Sequence, residues 1–366
     1  MIKYIGSKRL LVPLIRAAVS QLPVRRACDL FSGTTRVGQA LRALGLEVVS
    51  NDLATYSEVL GLAYIAAGPD VDRARLGRLL VDLAALPGRD GWFSEAFCRR
   101  TRYLQPHNGR RVVAIRERID ELELDRVERG ILLASLLEAA DRVDSTTGLQ
   151  MAYLKSWSAR SHGELELRLP HEVPGPVGTV ARRDAVELAP ELDVDLVYVD
   201  PPYNQHSYFA NYHVWETLVR WDDPDTYGVA GKRVDCRERK SAYNSRRAAP
   251  AEVERLLAAL AAPWLVVSFN DEGFHELGWV EELLRSRGYV GRIDVEARRY
   301  VGAQIGIYNP RGERVGKIAR LRNHEHLFVV GPDRARIAAA IQAAATSGAS
   351  AARGAARAVA VSRPAA

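Results

Sequence analysis

The 366-residue sequence predicts an α/β protein with a parallel sheet and a helical insertion. Three features carry the prediction. A β-α-β unit stands at 26–52, strands alternate with helices again from 177 onward, and the long stretch between them has helical periodicity without strand candidates.

Residues 26–31 (Arg-Ala-Cys-Asp-Leu-Phe) read as a short strand running into a turn at Ser32-Gly33-Thr34-Thr35. Val37, Ala40, Leu41 and Leu44 then fall on one side of a helix, and Gly45 stops it. A second apolar strand, 46–50, ends at Asn51-Asp52, delivering an acid about twenty residues after the first turn. Later strands are expected at 177–181, 194–199, 264–269 and 327–330, with helices at 251–261 and 276–287. From about 71 to 169 the periodicity gives helices at 73–84, 111–122 and 126–142, a block too long for an ordinary loop. From 335 the chain turns Ala-rich with scattered Arg, Ser and Gly, which predicts a helix to 345 and a largely disordered tail after it. The expected organisation is an α/β domain split between 1–70 and 170–334, an inserted helical subdomain at 71–169, and a tail at 335–366.

Composition narrows the class. Hydrophobic residues at 47% and charged residues at 26% allow a substantial core and exclude wholesale disorder. No run approaches ~18 uninterrupted apolar residues, so a membrane span is not expected. The opening Met1-Ile2-Lys3-Tyr4 lacks the apolar run of a secretory signal. Cys28, Cys98 and Cys236 are widely spaced and form no C-x-x-C pattern, so the expected chain is reduced and cytoplasmic.

The formal net charge of +6 is weak evidence for nucleic acid, because Arg334, Arg336, Arg353, Arg357 and Arg363 all follow the last acid, Asp333. Local clusters say more. Residues 89–118 hold eight Lys/Arg against three Asp/Glu, and residues 231–247 hold seven against two. Each is dense enough to attract a phosphate backbone, although a solvated helix face has the same composition.

The most informative motif is Asp200-Pro201-Pro202-Tyr203, directly after the apolar strand 195–199. A carboxylate there sits where open α/β sheets bind ligands. Two prolines fix φ and remove two donors, leaving carbonyls that only accept hydrogen bonds. An aromatic follows. Such a group suits a planar base with an exocyclic amine: the carboxylate takes one N–H, the Pro201 carbonyl the other, and Tyr203 stacks on the ring. Held in that way, the nitrogen lone pair leaves conjugation and points at an electrophile.

With this motif the sequence resembles the N6-adenine DNA methyltransferases of the D-P-P-Y type, and the resemblance runs from residue 1 to about 331. Lys3-Tyr4-Ile5-Gly6-Ser7-Lys8 resembles the motif over the methionine end of the cofactor, and Asp29-Leu30-Phe31-Ser32-Gly33-Thr34 the D-x-F-x-G cofactor loop. Segments 268–273 and 305–310 resemble later motifs, and 144–148 with Tyr153 and Lys155 resembles a motif within the insertion. The resemblance implies a Rossmann-like fold that uses S-adenosyl-L-methionine, with the insertion as the target-recognition subdomain. It implies Asp200, Pro201, Pro202 and Tyr203 as catalytic residues. Cofactor contacts fall to Tyr4, Lys8, Asp29, Phe31 and Gly33, with Asp52 on the ribose hydroxyls and Asp184 near the adenine. Expected partners are double-stranded DNA and a cognate restriction endonuclease. One position departs from the family: Gly33-Thr34-Thr35 has a threonine where a second glycine is usual, and positive φ is costly for a β-branched residue.

Methyl transfer from a cationic sulfur releases a neutral thioether, so alignment and relief of charge on the amine are the main requirements. The target amine lies inside a duplex stack, and the nucleotide must be extruded. Tyr208, Phe209 and Tyr212 are equally suited to holding that base or to packing the next helix. Phosphate contacts are expected from Arg99, Arg100 and Arg102 in the insertion, and from Arg237, Arg239 and Lys240. His206, His213, His324 and His326 lack metal-ligand spacing, so no metal is expected. An RNA N6-adenine methyltransferase, an enzyme acting on the cytosine amine, and a catalytically silent DNA-binding subunit are the competing readings.

Overall fold

The computed structural model describes residues 1–6, 8–298, 322–351 and 356–364. The expected motif at 305–310 lies outside them. Strands follow in the order β1 (Arg26–Asp29), β2 (Glu47–Asn51), β3 (Thr179–Ala181), β4 (Leu196–Val199), β5 (Thr226–Tyr227), β6 (Lys232–Arg233), β7 (Trp264–Asn270), β8 (Tyr289–Arg298), β9 (Arg322–Gly331) and β10 (Ala356–Ser362). Two compact units result. One comprises Met1–Ser7, Arg26–Glu191 and His206–Ser241; the other comprises Lys8–Arg25, Leu192–Gln205 and Ala242–Ala366.

In the first unit β1 pairs in parallel with β2, and β2 with β3. The predicted first helix is present at Arg36–Arg42 and ends before Gly45, which takes φ +89° in the turn to β2. Helices Arg73–Ala85, Pro106–Glu121 and Arg126–Arg142 occupy the expected insertion. Asp125 starts the last of these with a capping box: its carboxylate accepts from the N–H groups of Val127 and Glu128, and Glu128 accepts from the Asp125 N–H. Residues 130–141 of that helix are all buried. It therefore runs through the middle of the unit, not along its surface.

The insertion does not close a core of its own. Leu76, Phe93, Phe97, Leu133 and Leu137 share one apolar cluster with Tyr56 and Leu60, next to β2, and with Trp215 of helix His213–Arg220. Arg116 reinforces the link, donating from Nε and Nη2 to the carbonyls of Leu218 and Val219 at 2.9 Å each. A guanidinium there satisfies helix-end carbonyls and complements the helix dipole. Arg116 is thus unavailable to phosphate, and Arg99 and Arg110 share Asp90. The basic cluster at 89–118 is more neutralised than its composition suggests.

β5 and β6 form a short antiparallel hairpin that the sequence reading did not anticipate. Its anchor is Arg233, 2% exposed, whose guanidinium grips both oxygens of Asp222 at 2.6 and 2.7 Å and also reaches Asp235. One cation of the 231–247 cluster is therefore spent inside the protein.

In the second unit β4 and β7 are parallel, and β7–β9, β9–β8 and β8–β10 are antiparallel. The helix expected to 345 runs from Arg334 to Ala351, and where a largely disordered tail was expected after it, Ala356–Ser362 extends the sheet from β8. Ile337 and Ile341 pack over Gly291 of β8, where a Cβ would come within 2.4 Å of the Ile341 side chain. The close approach is permitted by the glycine of the strand, under two isoleucines of the helix, and Ala340 and Ala344 of that helix are buried as well.

Removing the Arg233 guanidinium takes away the buried cation of Asp222 and Asp235 and leaves them only the partly exposed Arg220. Arg233→Ala should lower unfolding stability by about 3 kcal/mol, measured as a shift of the urea midpoint at unchanged slope.

Candidate active site and its family

In the second unit, β4 ends on Val199, and Asp200-Pro201-Pro202-Tyr203 follows it into a turn. Pro201 and Tyr203 are buried, while Asp200 is only partly covered. The turn is braced from β7. The Tyr203 hydroxyl accepts from Asn270 Nδ2 at 3.1 Å, the Tyr203 carbonyl accepts from the Phe274 N–H at 2.8 Å, and the Phe269 ring meets Tyr203 edge-on at 5.9 Å. Asn270 also approaches Glu325 of β9. Segment 268–273 thus holds the aromatic of the motif in place.

Lys8 is 7% exposed, and its ammonium lies 3.0 Å from Asp200 Oδ1 and 3.7 Å from Glu325 Oε2. Lys8, expected among the cofactor contacts, pairs here with the carboxylate of the motif. Burial pushes the Asp200 carboxyl up to about 6 despite the nearby ammonium, which acts to lower it. Burial works against the charge on Lys8 as well, yet Asp200, Tyr203 and Glu325 outweigh it and hold the lysine well above its ordinary value. Glu325 was missed by the sequence reading because it lies in a polar run, Asn323-His324-Glu325-His326, that only pairing with β7 and β8 makes a strand.

In the first unit, the glycine turn after β1 and the acid after β2 are bound together. Asp52 Oδ2 accepts from the Gly33 N–H at 2.8 Å, and Oδ1 from the Ala54 N–H at 2.9 Å. Burial raises the Asp52 carboxyl, and these backbone donors act against the rise. Gly33 has φ +49°, and a Cβ there would meet the Tyr4 ring at 2.9 Å, so both conformation and space demand glycine. Tyr4 lies parallel to Tyr212 at 4.6 Å and to Tyr208 at 5.3 Å, with its hydroxyl 3.4 Å from that of Tyr56. Tyr212 is therefore a packing residue of this stack.

Thr35 has φ +60°, the left-handed conformation that a second glycine would take freely. The strain costs about 1–2 kcal/mol. The backbone N–H reaches the Ser32 carbonyl at 2.6 Å, and the hydroxyl accepts from Gln39 at 2.9 Å. The loop thus takes a left-handed turn at a threonine.

Asp29 is buried and accepts from the Gly38 N–H at 2.7 Å, fastening helix Arg36–Arg42 to β1; Phe31 is half-buried beside it. Asp184 accepts from the N–H groups of Val186 and Glu187 and caps a short helix. Of the expected phosphate contacts, Arg100 and Lys240 are exposed, and Arg99 pairs with Asp90 at 2.9 Å. Arg102 lies over Trp157 at 4.7 Å, Arg237 over Tyr227 at 3.9 Å and Arg239 over Phe209 at 4.2 Å.

A carboxylate, two prolines and an aromatic at the end of one parallel strand, with a glycine turn and an acid ending two others, define an α/β methyltransferase acting on an amine. A family model described as D12 class N6 adenine-specific DNA methyltransferase matches residues 4–258, and the chain belongs to that family. It is similar to the type II methyltransferase M.NlaIII of Neisseria lactamica, 31% identical over 311 residues, which cover 81% of this chain and 92% of that one. It is also similar to the modification methylase StsI of Streptococcus sanguinis (29% identical, 81% of this chain, 48% of that one). The modification methylase LlaI of Lactococcus lactis subsp. lactis is 28% identical over 81% of this chain and 51% of that one. The chain thus spans about half the length of these last two. It is a site-specific, adenine-specific DNA methyltransferase, and the family implies S-adenosylmethionine as methyl donor.

If Asp200 works as the ionised acceptor of an amine N–H, its pKa of about 6 makes the active fraction fall as pH drops through that value. Single-turnover methyl transfer at saturating cofactor and DNA should follow this one-proton limb. In Lys8→Met the cation that lowers Asp200 is gone, and the limb should move to higher pH.

Proposed function

We propose that the chain transfers the methyl group of S-adenosylmethionine to N6 of an adenine extruded from duplex DNA, with Asp200, Pro201, Pro202 and Tyr203 holding the base. The observation that carries the reading is Lys8 on Asp200. A nitrogen carrying hydrogens already stands 3.0 Å from the carboxylate oxygen, the place an adenine amine needs. Entry of the base displaces that ammonium toward Glu325, so the site keeps a counter-charge. Asp200 takes one amine hydrogen and the Pro201 carbonyl the other. Tyr203, fixed by Asn270, offers its ring as a stacking surface. As the carbon arrives, positive charge on the amine is relieved by Asp200, whose raised pKa also suits it to receive the departing proton.

The residues of the first unit fit the cofactor. Asp52 supplies acceptors for the ribose hydroxyls, Gly33 brings backbone close to a ligand, and half-exposed Leu53 adds an apolar surface for a purine. When bound, the cofactor supplies the electrophilic carbon and leaves as a neutral thioether. Asp29 serves by fixing the loop, and Asp184 keeps its backbone-capping role at the edge of the same sheet. Arg237, Arg239 and Lys240 grip phosphates beside the target, with Arg99, Arg100 and Arg102 as a second group. The names of the relatives, a type II methyltransferase and a modification methylase, support a modification role; a cognate endonuclease as partner and the cytoplasm as the place of action belong to the same proposal.

Labelled methyl groups should appear on N6 of adenine in duplex DNA and not in RNA, and Asp200→Ala should abolish transfer while leaving DNA affinity within about twofold. Label in RNA alone would reverse the choice of polymer. Replacing Arg237 and Arg239 together by Ala should flatten the slope of log affinity against log salt by roughly one to two. An unchanged slope places both away from phosphate.

A further inference from the structure

Glu216 is a fully buried carboxylate in helix His213–Arg220, and no step above uses it. Its Oε2 accepts from the Thr55 N–H at 2.9 Å, and its Oε1 accepts from the Thr55 hydroxyl. Thr55 opens the helix that follows Asp52, and the Asp52 carboxylate in turn holds Ala54. Glu216 therefore fixes Thr55, three residues after Asp52, while Asp52 itself fixes Ala54 between them. The cation facing it is Arg239, whose Nη1 lies 3.5 Å from Glu216 Oε1 while the guanidinium remains 37% exposed. The Glu216 charge is also felt at Asp52, adding to the upward push of burial there.

We propose that Glu216 is a positioning residue that joins Arg239 to Asp52, so that an arginine assigned above to DNA phosphate also determines how tightly the cofactor is held. The inference rests on Asp52 as the ribose acid. A buried carboxylate stripped of its cation is costly, and the segment it holds, 52–55, is the part that gives way. Glutamine in its place keeps an acceptor for the Thr55 N–H and carries no charge, so it needs no arginine.

Cofactor binding to the full chain, titrated by calorimetry with S-adenosylmethionine and no DNA, tests this. Arg239→Ala should weaken binding roughly fivefold or more, a typical size for coupling between sites. Arg239→Lys should restore most of it, and in the E216Q background Arg239→Ala should change nothing. With cofactor saturating, kcat should suffer far less than the cofactor KM, a split that general loss of structure does not produce. Equal losses from Arg239→Ala in both backgrounds, or no loss in either, would overturn the proposal. Asp52→Asn separates the two readings. If that variant binds cofactor normally, the ribose assignment fails; if it binds weakly while Arg239→Ala does not, the relay alone fails.

Discussion

A carboxylate that must remain charged inside protein needs a cation beside it, and the ion pair between Lys8 and Asp200 meets that need. The surrounding architecture can be understood as its housing. Parallel strand β4 delivers Asp200 at its carboxyl end, β7 brings Asn270 to steady Tyr203, and β9 brings Glu325 as the second anion for the lysine. The lysine keeps the acid ionised over most of the physiological range without neutralising it, because burial still holds the acid above its usual value. Such a group is a strong hydrogen-bond acceptor and a weak base, which is what methyl transfer to an amine asks for.

The acids proposed for the cofactor follow another rule: each is already committed to the backbone. Asp29 holds Gly38, Asp52 holds Gly33 and Ala54, and Asp184 caps a helix. These acids build the loop before they meet a ligand, so its shape is set in advance and little ordering is left for binding. Thr35 shows how strong that demand is, since the loop retains a left-handed residue even where the sequence offers a β-branched one.

The local signals in the sequence were legible where a strand and its turn carried the chemistry together. The β-α-β unit, the D-P-P-Y turn and the three long helices of the insertion stand close to their expected places. What escaped has a common cause. β8 has Ile293 and Val295 inward and Arg292, Asp294 and Glu296 between them, a pattern too short and too charged to be read before its neighbours are known. Glu325 and Glu216 look like ordinary acids until a fold buries them. The Ala-rich segment after 335 reads as low complexity, and only the packing of its Ile337 and Ile341 over Gly291 shows that it belongs to the core. Charge counting over-promised, because Arg116 and Arg233 are internal fastenings.

Three arginines assigned to phosphate lie over aromatic rings, Arg102 over Trp157, Arg237 over Tyr227 and Arg239 over Phe209. A planar cation held by a ring in this way loses little motion when it meets an oxyanion, whereas an ammonium on a flexible stem has no flat face to lay down. Over evolutionary drift, then, lysine is a poor understudy at these positions although it conserves the charge. A mutation that removed one of the rings would disable an arginine it never touched in the genetic code.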